Sequence, residues 1–431
     1  MKQTARIISI YSADVMGVCS ALFELGGMVV MHDASGCNST YTTHDEPRWY
    51  DMDSMIYISG LSEMEAIMGD DEKLIGDIEE AASELHPEFI ALAGSPISAM
   101  TGFDYEAVAQ VIEQRTGIPS LGFPTTGMNT YIHGASMALA GIAERFVKEP
   151  GTGAAEGIAE SAENASKDTE GNKKSGVGGK LRVNIIGLTP LDFSVNGTDA
   201  SIVKWLEIEG FEVVSKWAMG STLEELSHAA EADVNLVVSA AGFGAAKVLY
   251  EKFGIPYAVG LPVGNELPGL LADMIKIKLE EFTKAKESGS VPADFGSAEI
   301  SVQSGIFLNG ENGRDGSTYE EGFVAVIGEG VMSLSLAGAI EMECGIPAKV
   351  LCATECPEGI LRECDRMTPD EDDIIPELSG AYAVVADPMY EPIVPEGVRC
   401  IPLPHEAFSG RIYRDSIPNI IEDFTFCSDS I

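Results

Sequence analysis

Positive charge is scarce in this 431-residue sequence: 27 Lys and Arg stand against 68 Asp and Glu, a formal net charge of −41. Nucleic acid and anionic membrane surfaces repel a polyanion, so neither is expected as a partner. Uninterrupted apolar runs are missing too. The longest, Phe323 to Ile340, carries Glu329 and several glycines and reads as a strand, a turn and a helix rather than a membrane span. The opening "MKQTARIISI" lacks the apolar stretch and cleavage site of a secretory signal, so a cytoplasmic protein is expected. There is no G-x-x-x-x-G-K-[ST] loop for nucleotide phosphates, no zinc-type His/Cys spacing and no nucleophile elbow. What is present is a 45% apolar composition, enough for full globular cores, in a length that suits two to four domains. The eight cysteines, in a cytoplasmic chain of this size, are expected free, catalytic or metal-bound rather than paired as disulfides.

Residues 151–180 contain seven glycines and no aromatic side chain, the composition of a flexible linker. Around it, strand and helix patterns alternate. "LRVNIIGL", "FEVVSKWA", "VNLVVSA" and "IPYAVGL" read as strands, and "DASIVKWLEIEG", "TLEELSHAAEA" and "AAKVLYEKFG" as helices. A third such unit opens at "FVAVIGEG", and the N-terminal unit alternates in the same way. This rhythm predicts three doubly wound, Rossmann-like α/β domains with parallel sheets: residues 1–150, 181–300 and 301–431. Ligands are expected where loops gather, at the C-terminal ends of the strands. Three helices end in Gly followed by Ile-Pro, at Gly117, Gly254 and Gly345, each glycine placed to cap its helix in the left-handed conformation.

One cysteine sits where a packing cysteine would not. Cys37 follows Gly36 in "HDASGCNST", at the end of the apolar strand Met28 to Met31. A helix is expected from about Cys19 to Leu25, stopped by Gly26-Gly27. Such a helix is ~10 Å long and the strand ~13 Å. If the glycine pair reverses the chain, Cys37 returns to the neighbourhood of Cys19. Cys19 would then stand at a helix N-terminus, where the dipole favours a thiolate, and two apposed thiolates suit a soft metal. The spacing is equally compatible with two unrelated cysteines, one buried in a helix and one idle on a loop.

The pattern "CSALFELGGMVVMHDASGCNSTY" resembles the cluster-binding region of nitrogenase component 1 proteins and of the related reductases of tetrapyrrole biosynthesis. "YISGLSEMEAIMGDDEKLIGDI", "ALAGSPISAMTGFDYEAV", "VNIIGL", "NLVVSAAGFGAAKVLYEKFGIPY" and "HEAFSGRIYRD" look like further landmarks of that family, in its order, over nearly the whole chain. The resemblance implies a nitrogenase-like, oxygen-sensitive oxidoreductase. It would take low-potential electrons, one at a time, from a separate ATP-dependent iron–sulfur reductase and pass them through an interface Fe–S cluster to a substrate in the interdomain cavity. The chain departs from the family where the third cluster cysteine is expected, at Ser95 or Pro96. A symmetric homodimer would still offer Cys19 and Cys37 from each copy, four thiolates for a [4Fe–4S] cluster. A larger, P-cluster-like centre would need more ligands, and Ser95 or Asp33 could provide oxygen. A heterodimer with a related chain is the other arrangement, the second chain donating the missing cysteine. The family's cavity cofactor is held by a cysteine in the second domain and a histidine in the third. Here Ser239 stands near the first position and His405, in "PLPHEAFSG", matches the second. With one anchor missing, an organic substrate with His405 as a polar or proton-donating group is one reading. A loop histidine bonded to backbone is the other. A scaffold on which a metallocluster or tetrapyrrole is assembled without turnover is the alternative function.

Cys352, Cys356 and Cys364 form C-x3-C-x7-C, which fits no common ferredoxin spacing and reads as packing cysteines rather than a second Fe–S site. "GEG" at residues 328–330 could hold a phosphate at a helix N-terminus, but lacks the full glycine pattern and reads as a tight turn. The acidic runs "GDDEK" and "PDEDD" read as solvated loops.

Overall fold

The computed structural model describes residues 6–7, 13–34, 36, 46–150, 180–288, 299–301 and 322–423. The expected linker therefore lies, but for Lys180, outside the described residues. The first sheet holds four parallel strands in the order β2-β1-β3-β4: β1 (Met28–His32), β2 (Met55–Ile58), β3 (Ile90–Gly94) and β4 (Ser120–Phe123). Its helices are α1 (Asp14–Leu22), α2 (Glu63–Met68), α3 (Asp71–Leu85), α4 (Pro96–Thr101), α5 (Tyr105–Thr116) and α6 (Tyr131–Phe146). The period-two alternation of a strand sorts its side chains onto two faces. Met28, Val30, Ile90 and Leu92 pack with Leu74, Ile78, Val108 and Ile112 of α3 and α5. Val29, Met31, Ala91 and Ala93 pack with Val15, Ala135 and Leu139 of α1 and α6. Helices thus cover both faces, which is why the strands read as continuous apolar runs.

The second sheet is also parallel, in the order β6-β5-β7-β8-β9: β5 (Leu181–Ile186), β6 (Phe211–Trp217), β7 (Val234–Val237), β8 (Tyr257–Val259) and β9 (Glu299–Ser301). It carries α7 (Pro190–Phe193), α8 (Thr198–Ile208), α9 (Leu223–Ser227), α10 (Phe243–Phe253) and α11 (Leu267–Glu287). The third, parallel and ordered β12-β11-β10-β13-β14, holds β10 (Phe323–Gly328), β11 (Ala348–Cys352), β12 (Arg366–Met367), β13 (Ala381–Ala386) and β14 (Arg399–Pro402). Its helices are α12 (Gly330–Cys344), α13 (Glu371–Glu377) and α14 (Glu406–Ser409). The expected α/β architecture is therefore present three times.

The cores run across the domains. One contains α1 and α6 of the first domain together with Ala245 and Leu249 of α10. Another joins Ile185, Leu236 and Ile275 of the second to Val326, Leu336 and Ile340 of the third. The three Gly-Ile-Pro glycines cap α5, α10 and α12 at φ of 73°, 67° and 65°, as expected. Helix α1 crosses α6 without room for side chains: a Cβ on Gly17 would collide with the Tyr131 carbonyl, and one on Gly134 with the carbonyl of Asp14. Asp14 anchors the same crossing. Its carboxylate accepts from the backbone N–H groups of Thr126 and Gly127 and from the Asn129 amide.

Two expectations are corrected. The first helix is Asp14–Leu22, not Cys19–Leu25, so Cys19 lies in its second half rather than at its start. The acidic runs are not loops. "GDDEK" opens α3 and "PDEDD" opens α13, placing carboxylates in the first turns where the helix dipole favours them. Among the described residues, no helix is long and apolar enough to cross a membrane.

Candidate functional site

The expected site residues separate into two places. The first is the end of β1. Asp33 leaves that strand beside Ser95, which follows β3 and caps α4. The Ser95 hydroxyl donates to Asp33 Oδ1 at 2.9 Å and contacts Ser98 Oγ at 3.2 Å, and Tyr105 donates to Ser98 at 2.5 Å. The two proposed oxygen donors are therefore together and buried, and hydrogen-bonded to each other. Gly36 follows in a turn, where a Cβ would meet no atom within 4 Å. Cys37 lies outside the described residues. Cys19 is 0% exposed within the apolar core of α1, and burial, followed by the charge of Glu46, pushes its thiol pKa far up. That is the reverse of the thiolate expected at a helix N-terminus, because Cys19 lies in the second half of α1 and its thiol is enclosed by apolar side chains of the core. No group of three or more His, Cys, Asp or Glu converges to hold a metal among the described residues.

The second place is the junction of the three domains, where strand ends from two sheets meet the start of α6. β5 leads through Gly187 to Thr189, which caps α7 and brings in Asp192. Tyr131, the first residue of α6, donates its hydroxyl to Asp192 Oδ1 at 2.5 Å, and Thr189 donates to Oδ2 at 2.6 Å. Ser239 follows β7 and donates to the Gly187 carbonyl at 2.8 Å. His405 follows β14, caps α14 and is 5% exposed. Its Nδ1 accepts the backbone N–H of Ala407 at 3.2 Å, so the neutral ring carries its proton on Nε2. That Nε2 points toward Asp192, 3.7 Å from Oδ1, and has no hydrogen-bond partner. Asp387 fixes the loop by accepting the His405 backbone N–H and the Ser409 hydroxyl. One ring nitrogen of His405 is thus tied to backbone and the other is presented.

Burial sets the protonation of this group. His405 is lowered to about 3 by desolvation and is neutral at ordinary pH. Desolvation raises the Asp192 carboxyl, against hydrogen bonds from Thr189, Tyr131 and Ser239 that favour its anion. Glu329 is raised by desolvation and then by the Asp192 charge, and Tyr131 by desolvation and then by both carboxylates. Glu329 sits in the "GEG" turn, and its carboxylate accepts from Val331 and Met332 of α12 and from Ala240 of the second domain. The chain's own carboxylate therefore occupies the helix N-terminus considered for a phosphate. What results is a water-poor set of proton-bearing groups: a neutral imidazole N–H, a tyrosine hydroxyl and two carboxyls lifted toward neutrality.

A cavity beside Asp192 and His405, walled by Phe193, Thr198, Met332 and Leu403, has a volume of about 10 Å³, room for about one water. Sequence reasoning named Ser239 and His405, missed Asp192 and Tyr131, and noted Glu329 only as an interruption of an apolar run. The available signal was a charge inside an apolar stretch, "PLDF" and "VIGEG", because a buried acid survives there only with partners.

Residues 14–287 match the family described as nitrogenase component 1 type oxidoreductase. Curated relatives include the nitrogenase iron-molybdenum cofactor biosynthesis protein NifE of Clostridium pasteurianum, 26% identical over 202 residues, covering 47% of this chain and 38% of that protein. A light-independent protochlorophyllide reductase chain of Prosthecochloris aestuarii is 38% identical over 85 residues, 19% of this chain and 16% of that protein. The matches thus span well under half the length of these relatives. A solved structure of nitrogenase Cp1 at pH 6.5 covers 98% of this chain and 95% of its own, with TM-score 0.60 and 16% identity, a likeness of fold. The family match covers most of the first two domains and the fold likeness extends over the third: the chain belongs to the nitrogenase component 1 type oxidoreductase family.

Proposed function

We propose that this chain is a nitrogenase-like reductase component that binds a small organic substrate at the three-domain junction and delivers protons to it. One observation carries this reading: Tyr131, Asp192 and His405 converge from three domains into one buried, proton-bearing group beside a cavity. His405 presents an unpartnered N–H, and Asp192, raised toward neutrality and oriented by the Tyr131 and Thr189 hydroxyls, is a group that can hold and release a proton. The absence of a second-domain cysteine at Ser239 favours an organic ligand over a thiolate-anchored metal centre. Substrate entry requires the lining segments around Leu403 and Ile417 to part.

Electrons would come from an ATP-dependent iron–sulfur reductase. When bound, a [4Fe–4S] cluster at the interface of a homodimer, or of a heterodimer with a related chain, supplies electrons singly at low potential. Its ligation falls to Cys37, with Asp33 and Ser95, which meet at the end of β1, as the oxygen donors, while Cys19 would have to leave its core position to contribute. Anaerobic purification with iron and sulfide counting tests this part. About four irons per dimer, lost in Cys37→Ser, support the reading, and none overturns it. The scaffold reading is favoured by the similarity to a cofactor biosynthesis protein over 47% of the chain. Turnover with a low-potential reductant that is lost in Tyr131→Phe supports the reductase. Transfer of a labelled cluster to an acceptor without turnover supports the scaffold.

A further inference from the structure

We propose that Cys352 and Cys356 are a vicinal dithiol that closes to an intramolecular disulfide, a redox site at the edge of the three-domain junction. The two residues differ in accessibility and converge in space. Cys352 ends β11, is fully buried, and its thiol faces the Thr354 carbonyl at 3.3 Å. Cys356 lies four positions on, in a non-helical loop, and is partly exposed. Both sulfurs crowd the first residue of α12: a Cβ built on Gly330 would stand 2.8 Å from the Cys356 sulfur and 3.4 Å from that of Cys352. Glycine at this position is what lets two sulfurs share one space. Cys364, the third member of the C-x3-C-x7-C run, is elsewhere. It lies in a turn with its sulfur 3.6 Å from Asp365 Oδ1, beside the Arg362 ion pair.

This asymmetry assigns the roles. The reachable Cys356 thiol, once deprotonated, attacks a sulfur of a small-molecule disulfide and expels one thiolate, leaving a mixed disulfide on Cys356. The Cys352 thiol, losing its proton, attacks the Cys356 sulfur and expels the second thiolate. The protein dithiol loses two electrons, the small disulfide gains them, and the two cysteine protons end on the two released thiols. Both sulfurs flank the same Gly330 position, and the loop that carries Cys356 imposes no helical constraint on their approach. The consequence is local and directed. The bond would bracket Glu355, whose carboxylate accepts from the Thr130 backbone N–H at 2.8 Å and from the Thr130 hydroxyl, at the residue before Tyr131. Oxidation would therefore stiffen the strut that positions the tyrosine of the junction.

The test uses the full chain, purified without oxygen, treated with oxidised glutathione, then unfolded, alkylated and analysed by peptide mass spectrometry. The expected result is that the peptide bearing both residues becomes unalkylated and lighter by two hydrogens, while Cys19 and Cys364 remain alkylated. Cys356→Ser should leave Cys352 reduced. Cys352→Ala should trap glutathione on Cys356, a readout that depends on the exposed residue and not on the buried one being tolerated. Full alkylation of both cysteines in the unsubstituted protein overturns the proposal, as does a linkage to any other cysteine.

Discussion

The end of β1 and the three-domain junction are both strand-end sites in the same parallel architecture, and they treat their reactive groups in opposite ways. At the junction, polar atoms from three domains are buried against one another: Asp192 receives two hydroxyls, Glu329 receives three backbone N–H groups, and His405 keeps one nitrogen bonded and one presented. In the first domain, the described cysteine is buried among hydrocarbon, with its thiol held protonated. Burial alone therefore does not set the character of a group. The distinction is whether the buried atom has polar company that changes its protonation toward a use.

The change with the largest expected effect removes the support that both places share. Gly134→Val drives a side chain into the backbone of α1, which carries Cys19, and displaces the helix that begins with Tyr131. A loss of about 3 kcal/mol or more in denaturant unfolding is expected. Next, Asp192→Ala leaves the Tyr131 and Thr189 hydroxyls buried without their acceptor, a loss of about 2–4 kcal/mol. Asp192→Asn should cost less while removing proton delivery, so the pair of variants separates structure from function. Cys19→Ser should cost about 1–3 kcal/mol by burying a hydroxyl in an apolar site, with bound iron unchanged. A fall in iron equal to that of Cys37→Ser would show that Cys19 leaves the core to serve as a ligand.

The smallest effect is a pair of opposite pH slopes. His405 has a lowered folded pKa of about 3, so the unfolded chain takes up a proton first and stability falls as pH drops from about 6.5 toward 3. Asp192 and Glu329 have raised folded pKa values, so the folded state holds more protons and stability falls as pH rises from the ordinary carboxylate range through those raised values. Melting temperatures across pH should flatten on the acid side in His405→Gln and on the neutral side in Glu329→Gln.

Much of the architecture was legible because apolar runs, βα alternation and the Gly-Ile-Pro caps are local signals: Gly117, Gly254 and Gly345 sit as read. The start of α1 was not legible. Asp14 opens the helix without a side-chain cap, and its carboxylate is used 112 residues away at Thr126. The junction was half legible. His405 and Ser239 emerged from a resemblance, whereas Asp192 and Tyr131 meet across 61 positions and carry no spacing that announces a pair. Glu329 was noticed only as an interruption, although an acid that interrupts an apolar run is a buried group in search of donors.

Infrared difference spectroscopy of the intact protein, titrated from mildly acidic to neutral pH, addresses the central claim most directly. The junction should show the carbonyl-stretch band of a neutral carboxylic acid persisting above the pH at which ordinary carboxylates ionise, and Asp192→Asn should remove part of it. A protein in which every carboxyl ionises in the ordinary range, or in which that band is indifferent to Asp192, would contradict the account.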